Sequence, residues 1–549
     1  MNLSRLIEAL RPSRRGDYEV HRDVRIPVRD GVKLLADHYT PTGAGAPVVL
    51  IRSPYGRSGR AGRLGPELAR RGFQVLIQSV RGTFGSGGTF EPHFNEREDG
   101  LDTLAWISAQ PWFSGEILLA GPSYLGYTQW AVADELPPTV KALSPVFSPQ
   151  NFRDVTYPGE SFALDTGLLW TYLLTSQETG RLRFVLSMLA APARLSRALA
   201  RVPLLEGYRT ATRSRVTYYE NWLRHNTPGD EFWRQIDFTP SLERVAVPVG
   251  LAGGWYDLFA RHTVLQYEKL RAAGGRPRLR MGPWTHGDLP RIQPVLLQDA
   301  EELFREALSH EEPGGSSVSP SVSPPVKLYV TGVGEWRGYE EWPPPQSVPE
   351  RWHLAAGERL TSAIPAASQP DCYRYDPADP TPVVGGTTLG PGAGPRIQNH
   401  TEARPDILVY SSEPLARPVE LIGNVHAEVF VRSTLEHFDL FVRLCAVDGN
   451  GRSRNICDGI QRISAPEFEP DHNGVHRVLV SLWPMAHRFE PGHRVRVQIA
   501  SGAHPRFARN TGSGEPLATA RRLVPADQEI FHDPERPSAV VVPLMRGLT

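Results

Sequence analysis

Ser123 lies in a segment whose residue types favour an exposed nucleophile. Residues 121–126 have the sequence Gly-Pro-Ser-Tyr-Leu-Gly, after a short apolar run at 117–120 and before a helical stretch at 128–133. A sharp turn between a buried strand and a helix lifts a serine hydroxyl clear of the sheet, and small residues let the two elements approach each other. The second glycine is Gly126, one position later than in the common Gly-x-Ser-x-Gly pattern. Taken alone, the segment fits a plain strand-to-helix turn about equally well.

A serine hydroxyl attacks a carbonyl only when a base takes its proton and a third group orients that base. Asp257 follows an apolar run at 247–251, and His286 follows another at 279–281. Both residues therefore come just beyond the end of a predicted strand, as Ser123 does, and such ends share one edge of an open parallel sheet. We predict a triad of Ser123 as nucleophile, His286 as general base and acid, and Asp257 as orienting acid.

The elements that must position these residues alternate between strand and helix in the first third of the chain. Apolar runs at 48–51, 73–77 and 117–120 are separated by helical segments at 64–71 and 101–108. This alternation predicts an α/β fold with a mostly parallel sheet covered on both faces. Since the order Ser, acid, His along the chain is typical of α/β-hydrolases, we expect an α/β-hydrolase core.

Two later regions depart from this alternation. Between 147 and 240 strand signals vanish and apolar residues recur at helical spacing, which indicates a helical cap inserted into the core. Beyond about 350, short apolar runs separated by Gly, Pro and Asp turns predict a β-sandwich. A Gly-, Ser- and Pro-rich stretch at 314–325 predicts a flexible loop or linker. The predicted domains are the core at 1–146 and 241–347, the cap at 147–240 and the β-sandwich at 348–549.

Composition excludes several classes of partner. Lys plus Arg and Asp plus Glu both number 60, so the net charge of zero gives no electrostatic footprint for nucleic acid or an acidic membrane. No window approaches the roughly 18 apolar residues of a membrane span, and the N-terminus lacks the apolar stretch of a secretory signal. Cys372, Cys445 and Cys457 are scattered, and we expect them to be buried free thiols in a reducing environment. The expected location is therefore cytoplasmic.

An acidic group at residues 98, 99 and 102 resembles a metal cluster only superficially. Glu98, Asp99 and Asp102 come at the start of a predicted helix, where the helix dipole favours negative charge. We therefore predict no metal site, and the predicted triad chemistry needs no organic cofactor.

Three motifs together resemble the cocaine esterase / X-Pro dipeptidyl-peptidase (CocE/NonD-like) family of serine hydrolases. They are Gly-x-Ser-Tyr-x-Gly around Ser123, Gly-Trp-Tyr-Asp ending at Asp257 and Gly-Pro-Trp-x-His-Gly around His286. The resemblance implies the same triad roles for these residues, and it makes the displaced glycine a family trait. It also implies that the β-sandwich is a jelly roll, since segments at 375–380 and 492–496 are similar to pieces of the family's C-terminal domain.

The family resemblance further implies an unusual oxyanion hole. Its donors would be the hydroxyl of Tyr55 and the backbone N–H of Tyr124, the residue after the nucleophile. Preorganised donors at a developing oxyanion contribute roughly 10²–10³ in rate each. For Tyr55 the alternative is a core aromatic residue whose hydroxyl is satisfied elsewhere.

Aromatic residues next to the acid and the base are candidates for the substrate pocket. Trp255, Tyr256, Phe259 and Trp284 would line an apolar acyl or leaving-group pocket, or else pack the seam between cap and core. Both interpretations fit the sequence equally well.

The residues that follow Asp257 differ from those of one branch of the family, and this difference bears on the substrate class. The α-amino acid ester hydrolases resemble one another in carrying Glu and Asp two and three residues after the catalytic acid, and these carboxylates hold the substrate ammonium. In this chain Asp257 is followed by Leu258, Phe259 and Ala260. The replacement argues against an ammonium-bearing substrate and favours an ester with an apolar or aromatic acyl group.

Three functions remain open from the sequence. The first is a carboxylesterase working through an acyl-enzyme on Ser123. The second is an X-Pro dipeptidyl-peptidase or amide acylase with the same triad. The third is a binding module with a vestigial core, which the complete set of triad residues disfavours. The expected partner is a small-molecule ester or amide, and the chain is a possible homo-oligomer.

Overall fold

The fold is described by a computed structural model for residues 18–43, 45–58, 62–309, 324–464 and 468–547. The predicted linker at 314–325 lies outside these residues except for its last two positions.

A single mixed sheet forms the centre of the first two thirds of the chain. Its order is β1-β2-β4-β3-β5-β6, continued by β7-β8-β9-β10 through a parallel bridge between Leu143 and Val249. The strands from β4 to β9 run parallel, whereas β1, β2 and β10 pair antiparallel with their neighbours. The strands are β1 Tyr18–Pro27, β2 Lys33–Pro41, β3 Val48–Ser53, β4 Gln74–Ser79, β5 Ile117–Pro122, β6 Val140–Val146, β7 Gly250–Gly254, β8 Arg278–Gly282, β9 Val326–Val330 and β10 Glu335–Tyr339.

Helices flank this sheet and form the region between β6 and β7. Short 3₁₀ turns occur at Pro158–Glu160, Thr239–Arg244 and His286–Asp288. The helices are α1 Leu64–Ala69, α2 Glu96–Ser108, α3 Tyr124–Trp130, α4 Phe152–Thr156, α5 Leu164–Gln177, α6 Arg181–Leu199, α7 Leu204–Thr212, α8 Thr217–Arg224, α9 Glu231–Arg234, α10 Ala260–Ala272, α11 Leu289–Leu308 and α12 Asn399–Glu402.

Strand β3 shows why the central strands contain an uninterrupted apolar run, here Val48 to Ile51. Its residues are buried throughout, because successive side chains point to opposite covered faces. Leu50 belongs to the core that contains Leu104 of α2, whereas Ile51 belongs to the core that contains Phe304 of α11. Helices therefore cover both faces of the sheet, and the predicted α/β core is confirmed.

The cap consists of α4 to α9, and it has an apolar core of its own. Tyr172, Tyr208 and Trp222 are fully buried in this core. The described residues between β6 and β7 contain no strand. The predicted domain boundaries at 146/147, 240/241 and 347/348 stay predictions.

Antiparallel pairing dominates the C-terminal region, and the predicted β-sandwich is confirmed. Its pairs are antiparallel except for a parallel contact of β12 with β14. The strands are β11 Ser347–Ala355, β12 Arg359–Thr361, β13 Asp371–Tyr375, β14 Leu408–Ser411, β15 Val419–Gly423, β16 His426–Ser433, β17 Phe438–Val447, β18 Ser453–Ile463, β19 His476–Ser481, β20 Met485–Phe489, β21 Arg494–Ala500, β22 Ala526–Phe531 and β23 Ala539–Met545.

The acidic group at the start of α2 is neutralised by arginines. Arg81 donates two hydrogen bonds to Asp99, at 2.6 and 3.0 Å, and Arg29 pairs with Glu98 and Asp102. Within the described residues, no group of three or more His, Cys, Asp or Glu side chains is arranged to hold a metal ion.

The three cysteines differ in burial. All three cysteines are free, and Cys445 and Cys457 are buried. Cys372 is exposed, so the expectation of a buried thiol is wrong there; it lies on the short strand β13, whose alternate side chains face outward.

Among the helices of the described part of the chain, none has the length and apolar character needed to cross a membrane.

Buried histidines generate a testable expectation about acid stability. Burial lowers the pKa of His38 to about 4 and those of His93 and His262 to about 3. An unfolded histidine titrates near pH 6.5, so between that pH and the folded pKa only the unfolded state binds the proton. Stability is therefore lost as the pH falls below about 6.5, by on the order of 2 kcal/mol per such histidine at pH 5.

We predict that His262→Gln weakens this pH dependence. The unfolding midpoint in urea should fall less between pH 7 and pH 5 in the variant than in the wild type, because one proton-linked group is removed. His472→Gln is the matched control, since His472 is exposed. An equal fall for His262→Gln and the wild type would contradict the expectation.

Candidate active site

Ser123 occupies a strained turn between β5 and α3. Its backbone has φ of 61° and ψ of −127°, outside the regions that non-glycine residues favour. The Ser123 N–H donates to the carbonyl of Val146 at 3.0 Å, and its carbonyl accepts from the N–H groups of Gly126 and Tyr127 at 2.9 and 3.1 Å. The neighbouring strand and the first turn of the helix thus fix the conformation from both sides.

The glycines around Ser123 are explained by close contacts. A Cβ atom on Gly121, whose φ is +143°, would lie 2.4 Å from the Cβ of Leu125. A Cβ atom on Gly126 would lie 2.5 Å from the Cβ of Ser148. Leu125 itself packs into the core between sheet and helices. The close approach of α3 to Ser148 therefore requires a glycine at position 126, whereas position 125 accommodates a large apolar side chain.

His286 connects Ser123 to Asp257. Its Nε2 lies 3.2 Å from the Oγ of Ser123, and its Nδ1 lies 2.7 Å from Oδ2 of Asp257. Asp257 is fully buried, and its Oδ1 accepts a hydrogen bond of 2.7 Å from the backbone N–H of Phe259. With a proton on Nδ1 held by the carboxylate, Nε2 is left to accept the serine proton, which is the arrangement needed for nucleophilic catalysis.

Both triad partners are fixed by the loops that follow β7 and β8. Asp257 follows β7 directly and precedes α10. His286 opens a 3₁₀ turn that is closed by reciprocal hydrogen bonds between Thr285 and Asp288. The structure thus brings the three predicted residues together at one edge of the sheet.

The Tyr55 hydroxyl also reaches this edge. It accepts a hydrogen bond of 3.0 Å from Nε1 of Trp170 in the cap. Burial raises the pKa of Tyr55, and hydrogen bonding with Trp170 and with Ser123 lowers it in part. The phenol therefore keeps its proton at neutral pH and remains a hydrogen-bond donor.

Tyr124 is predicted to act through its backbone N–H. It is the first residue of α3, so its N–H has no intrahelical acceptor. Its side chain points into a buried network, where the hydroxyl donates to Glu96 at 2.8 Å and accepts from the N–H of His93 at 2.9 Å. Burial raises the pKa of Glu96, and the charge of Arg52, 2.9 Å away, opposes this rise.

A cavity of about 870 Å³ opens onto Ser123 and His286. It lies between the core, the cap and the β-sandwich, and its lining is mostly apolar and aromatic. Among the residues that line it are Tyr55, His93, Phe152, Trp170, Phe184, Met188, Phe259 and Leu389.

Of the four aromatic residues predicted to bind substrate, only Phe259 lines this cavity. Trp255 donates its indole N–H to the carbonyl of Tyr329 at 2.7 Å and packs on Trp342, with ring centroids 5.7 Å apart. Trp284 packs on Phe147 and Trp336, at centroid distances of 6.0 and 5.5 Å. Tyr256 is also buried, and burial raises the pKa of its hydroxyl. These three side chains do not line the cavity. The partners named for Trp255 and Trp284 lie in or beside β6, β9 and β10 and not in the cap helices α4 to α9, so these two residues pack within the core and not in a seam with the cap.

Sequence reasoning missed the cavity residues contributed by the cap and the β-sandwich. Phe152 and Trp170 belong to the apolar helical pattern, which predicts a buried face but does not say what that face covers. Leu389 lies in a loop of the β-sandwich without regular structure, and no local signal marks it.

Comparisons with known proteins identify the family of the chain. Residues 30–288 match the family model described as X-Pro dipeptidyl-peptidase (S15 family), and residues 321–541 match that of the X-Pro dipeptidyl-peptidase C-terminal non-catalytic domain. Cocaine esterase of Rhodococcus sp. (strain MB1 Bresler) is 31% identical over 97% of this chain and 99% of its own length.

Solved structures show the same fold over the whole chain. An α-amino acid ester hydrolase superposes with a TM-score of 0.79 at 22% identity, over 97% of this chain and 98% of its own. An aminopeptidase from a Thaumarchaeota archaeon superposes with a TM-score of 0.78 at 23% identity, over 96% and 97%. The family match confirms the resemblance predicted from the three motifs, and the chain belongs to the X-Pro dipeptidyl-peptidase (S15) family of serine hydrolases, together with cocaine esterase.

Proposed function

We propose that this protein hydrolyses carboxylic esters through a covalent acyl-enzyme on Ser123. The observation that carries the proposal is the continuous hydrogen-bonded path from the Ser123 Oγ through the His286 imidazole to the buried carboxylate of Asp257. The family adds support, since cocaine esterase covers almost the whole chain.

The geometry supports the following sequence of proton transfers. His286 Nε2 takes the proton of Ser123 as Oγ attacks the ester carbonyl, and Asp257 stabilises the imidazolium that forms. The oxyanion of the tetrahedral intermediate accepts hydrogen bonds from the Tyr55 hydroxyl and the Tyr124 backbone N–H. His286 then gives its proton to the departing alcohol oxygen. A water molecule repeats the cycle, with His286 as its base, and releases the acid.

The substrate class follows from the charge of the cavity wall. No Asp or Glu is among the described residues that line the cavity. An ammonium group would lose its hydration there without gaining an anionic partner, which is costly in an apolar site. Leu258 and Phe259 line the wall just after Asp257, so this position offers apolar contact. We therefore propose an ester that carries no ammonium group and has an apolar or aromatic acyl group.

The alternative is peptide or amide hydrolysis with the same triad. The matching family model is described as an X-Pro dipeptidyl-peptidase, so this class of reaction is a second candidate. An X-Pro dipeptidyl-peptidase recognises a free amine, and the absence of carboxylates from the described cavity wall disfavours this activity.

The cytoplasmic location and the homo-oligomer stay predictions.

Labelling by a fluorophosphonate probe tests the nucleophile. We expect the native protein to be labelled and to hydrolyse p-nitrophenyl butyrate, and Ser123→Ala to lose both properties. Ser214→Ala, at an exposed serine, is the matched control and should behave as the wild type. Undiminished labelling of Ser123→Ala would remove Ser123 as the nucleophile.

A substrate panel tests the acyl preference. We expect kcat/KM to be at least tenfold higher for p-nitrophenyl benzoate and butyrate than for p-nitrophenyl esters of amino acids with a free amine, because an unpaired buried ammonium costs more than about 1.4 kcal/mol. An X-Pro p-nitroanilide should be cleaved more slowly still. Faster cleavage of the amine-bearing substrates would contradict the proposed class.

A further inference from the structure

Trp170 links the cap to the predicted oxyanion hole. Its indole Nε1–H donates to the hydroxyl of Tyr55 at 3.0 Å, across 115 positions of the chain. Tyr55 lies in the turn after β3, whereas Trp170 lies in the middle of α5. Neither the triad nor the mechanism derived above requires this bond.

The chemistry of the two groups gives the bond a direction. An indole N–H is a donor only, whereas a phenol hydroxyl has one proton to donate and lone pairs to accept with. The bond from Trp170 therefore occupies a lone pair of Tyr55 and leaves its single proton for another acceptor. Tyr55 and Ser123 line the same cavity, and Ser123 is close enough to the phenol to contribute to lowering its pKa. A hydroxyl that accepts one hydrogen bond also becomes a stronger donor for the next.

Aromatic neighbours prevent the indole of Trp170 from turning away. The ring stacks on Trp222 at a centroid distance of 5.8 Å and on Tyr124 at 6.2 Å, with interplanar angles of 23° and 16°. Trp222 of the cap and Tyr124, the residue after Ser123, thus keep the Trp170 indole in place. The indole in turn fixes the Tyr55 hydroxyl by its hydrogen bond. Trp170 contacts both residues that are predicted to form the oxyanion hole.

We propose that Trp170 is a positioning residue that aims the hydroxyl proton of Tyr55 at the site where the oxyanion forms. This inference rests on the proposed function. It makes the cap a part of the catalytic arrangement as well as a cover for the cavity.

Trp170→Phe removes the donor and keeps an aromatic ring at this position. We expect kcat for p-nitrophenyl butyrate to fall about tenfold, less than the roughly 10²–10³ expected when an oxyanion donor is lost altogether. KM should change by less than about threefold, because the bond acts on the transition state. A fall in activity that appears only in KM would overturn the inference and make Trp170 a simple contact of the substrate.

A double-mutant cycle with Tyr55→Phe separates positioning from packing. If Trp170 acts through the hydroxyl, Trp170→Phe should have no further effect on kcat once that hydroxyl is gone. An equal loss of kcat in the wild-type and Tyr55→Phe backgrounds would overturn the inference. Trp233→Phe is the matched control, since it removes another buried indole donor of the cap, bonded to the carbonyl of His225 and not to Tyr55. It should leave kcat unchanged.

A second replacement covers the case in which Trp170→Phe does not fold. Incorporation of 3-benzothienylalanine at position 170 exchanges the N–H for sulfur and retains the bicyclic shape. The same loss of kcat supports the inference, and full activity overturns it. Fluorophosphonate labelling of Ser123 in every variant separates this inference from the proposed function. Variants that are labelled and keep the wild-type kcat reject only the role of Trp170. A wild-type protein that is not labelled rejects the proposed function.

Discussion

The strained backbone of Ser123 is the constraint on which the site depends. A non-glycine residue at φ of 61° and ψ of −127° persists only where its surroundings enforce it. Hydrogen bonds from both sides and close contacts at Gly121 and Gly126 provide this enforcement. The result is a Ser123 hydroxyl at the wall of the cavity, followed by a backbone N–H at the start of α3 that has no intrahelical acceptor. One turn thus positions both the proposed nucleophile and one proposed oxyanion donor.

The proximity of the three proposed triad residues could be predicted because the ends of parallel strands lie at one edge of the sheet. Ser123, Asp257 and His286 each follow an apolar strand, and parallel strands bring their carboxyl ends to one edge. The direction of the neighbouring side chains could not be predicted in this way. Trp255 and Trp284 flank the acid and the base in sequence, yet the turns direct them towards Tyr329 of β9 and Trp336 of β10, within the core. Proximity along the chain is therefore a poor guide to which side of a loop faces the substrate.

The remaining wall of the cavity depends on long-range packing. Trp170 and Phe152 come from cap helices whose periodicity indicates only that one face is buried, and Leu389 comes from an irregular loop of the β-sandwich. Which buried face meets Ser123 is decided when cap, core and sandwich assemble. The core thus carries the proposed reacting residues, and the cap and the β-sandwich contribute residues to the cavity wall around them.

Intact-protein mass spectrometry of enzyme quenched during turnover of p-nitrophenyl benzoate tests the central claim most directly. A covalent mechanism predicts a population heavier by one benzoyl group, located by proteolysis on the peptide that contains Ser123. A benzoyl group found only on another residue, or turnover in a Ser123→Ala enzyme at the wild-type rate, would contradict the account.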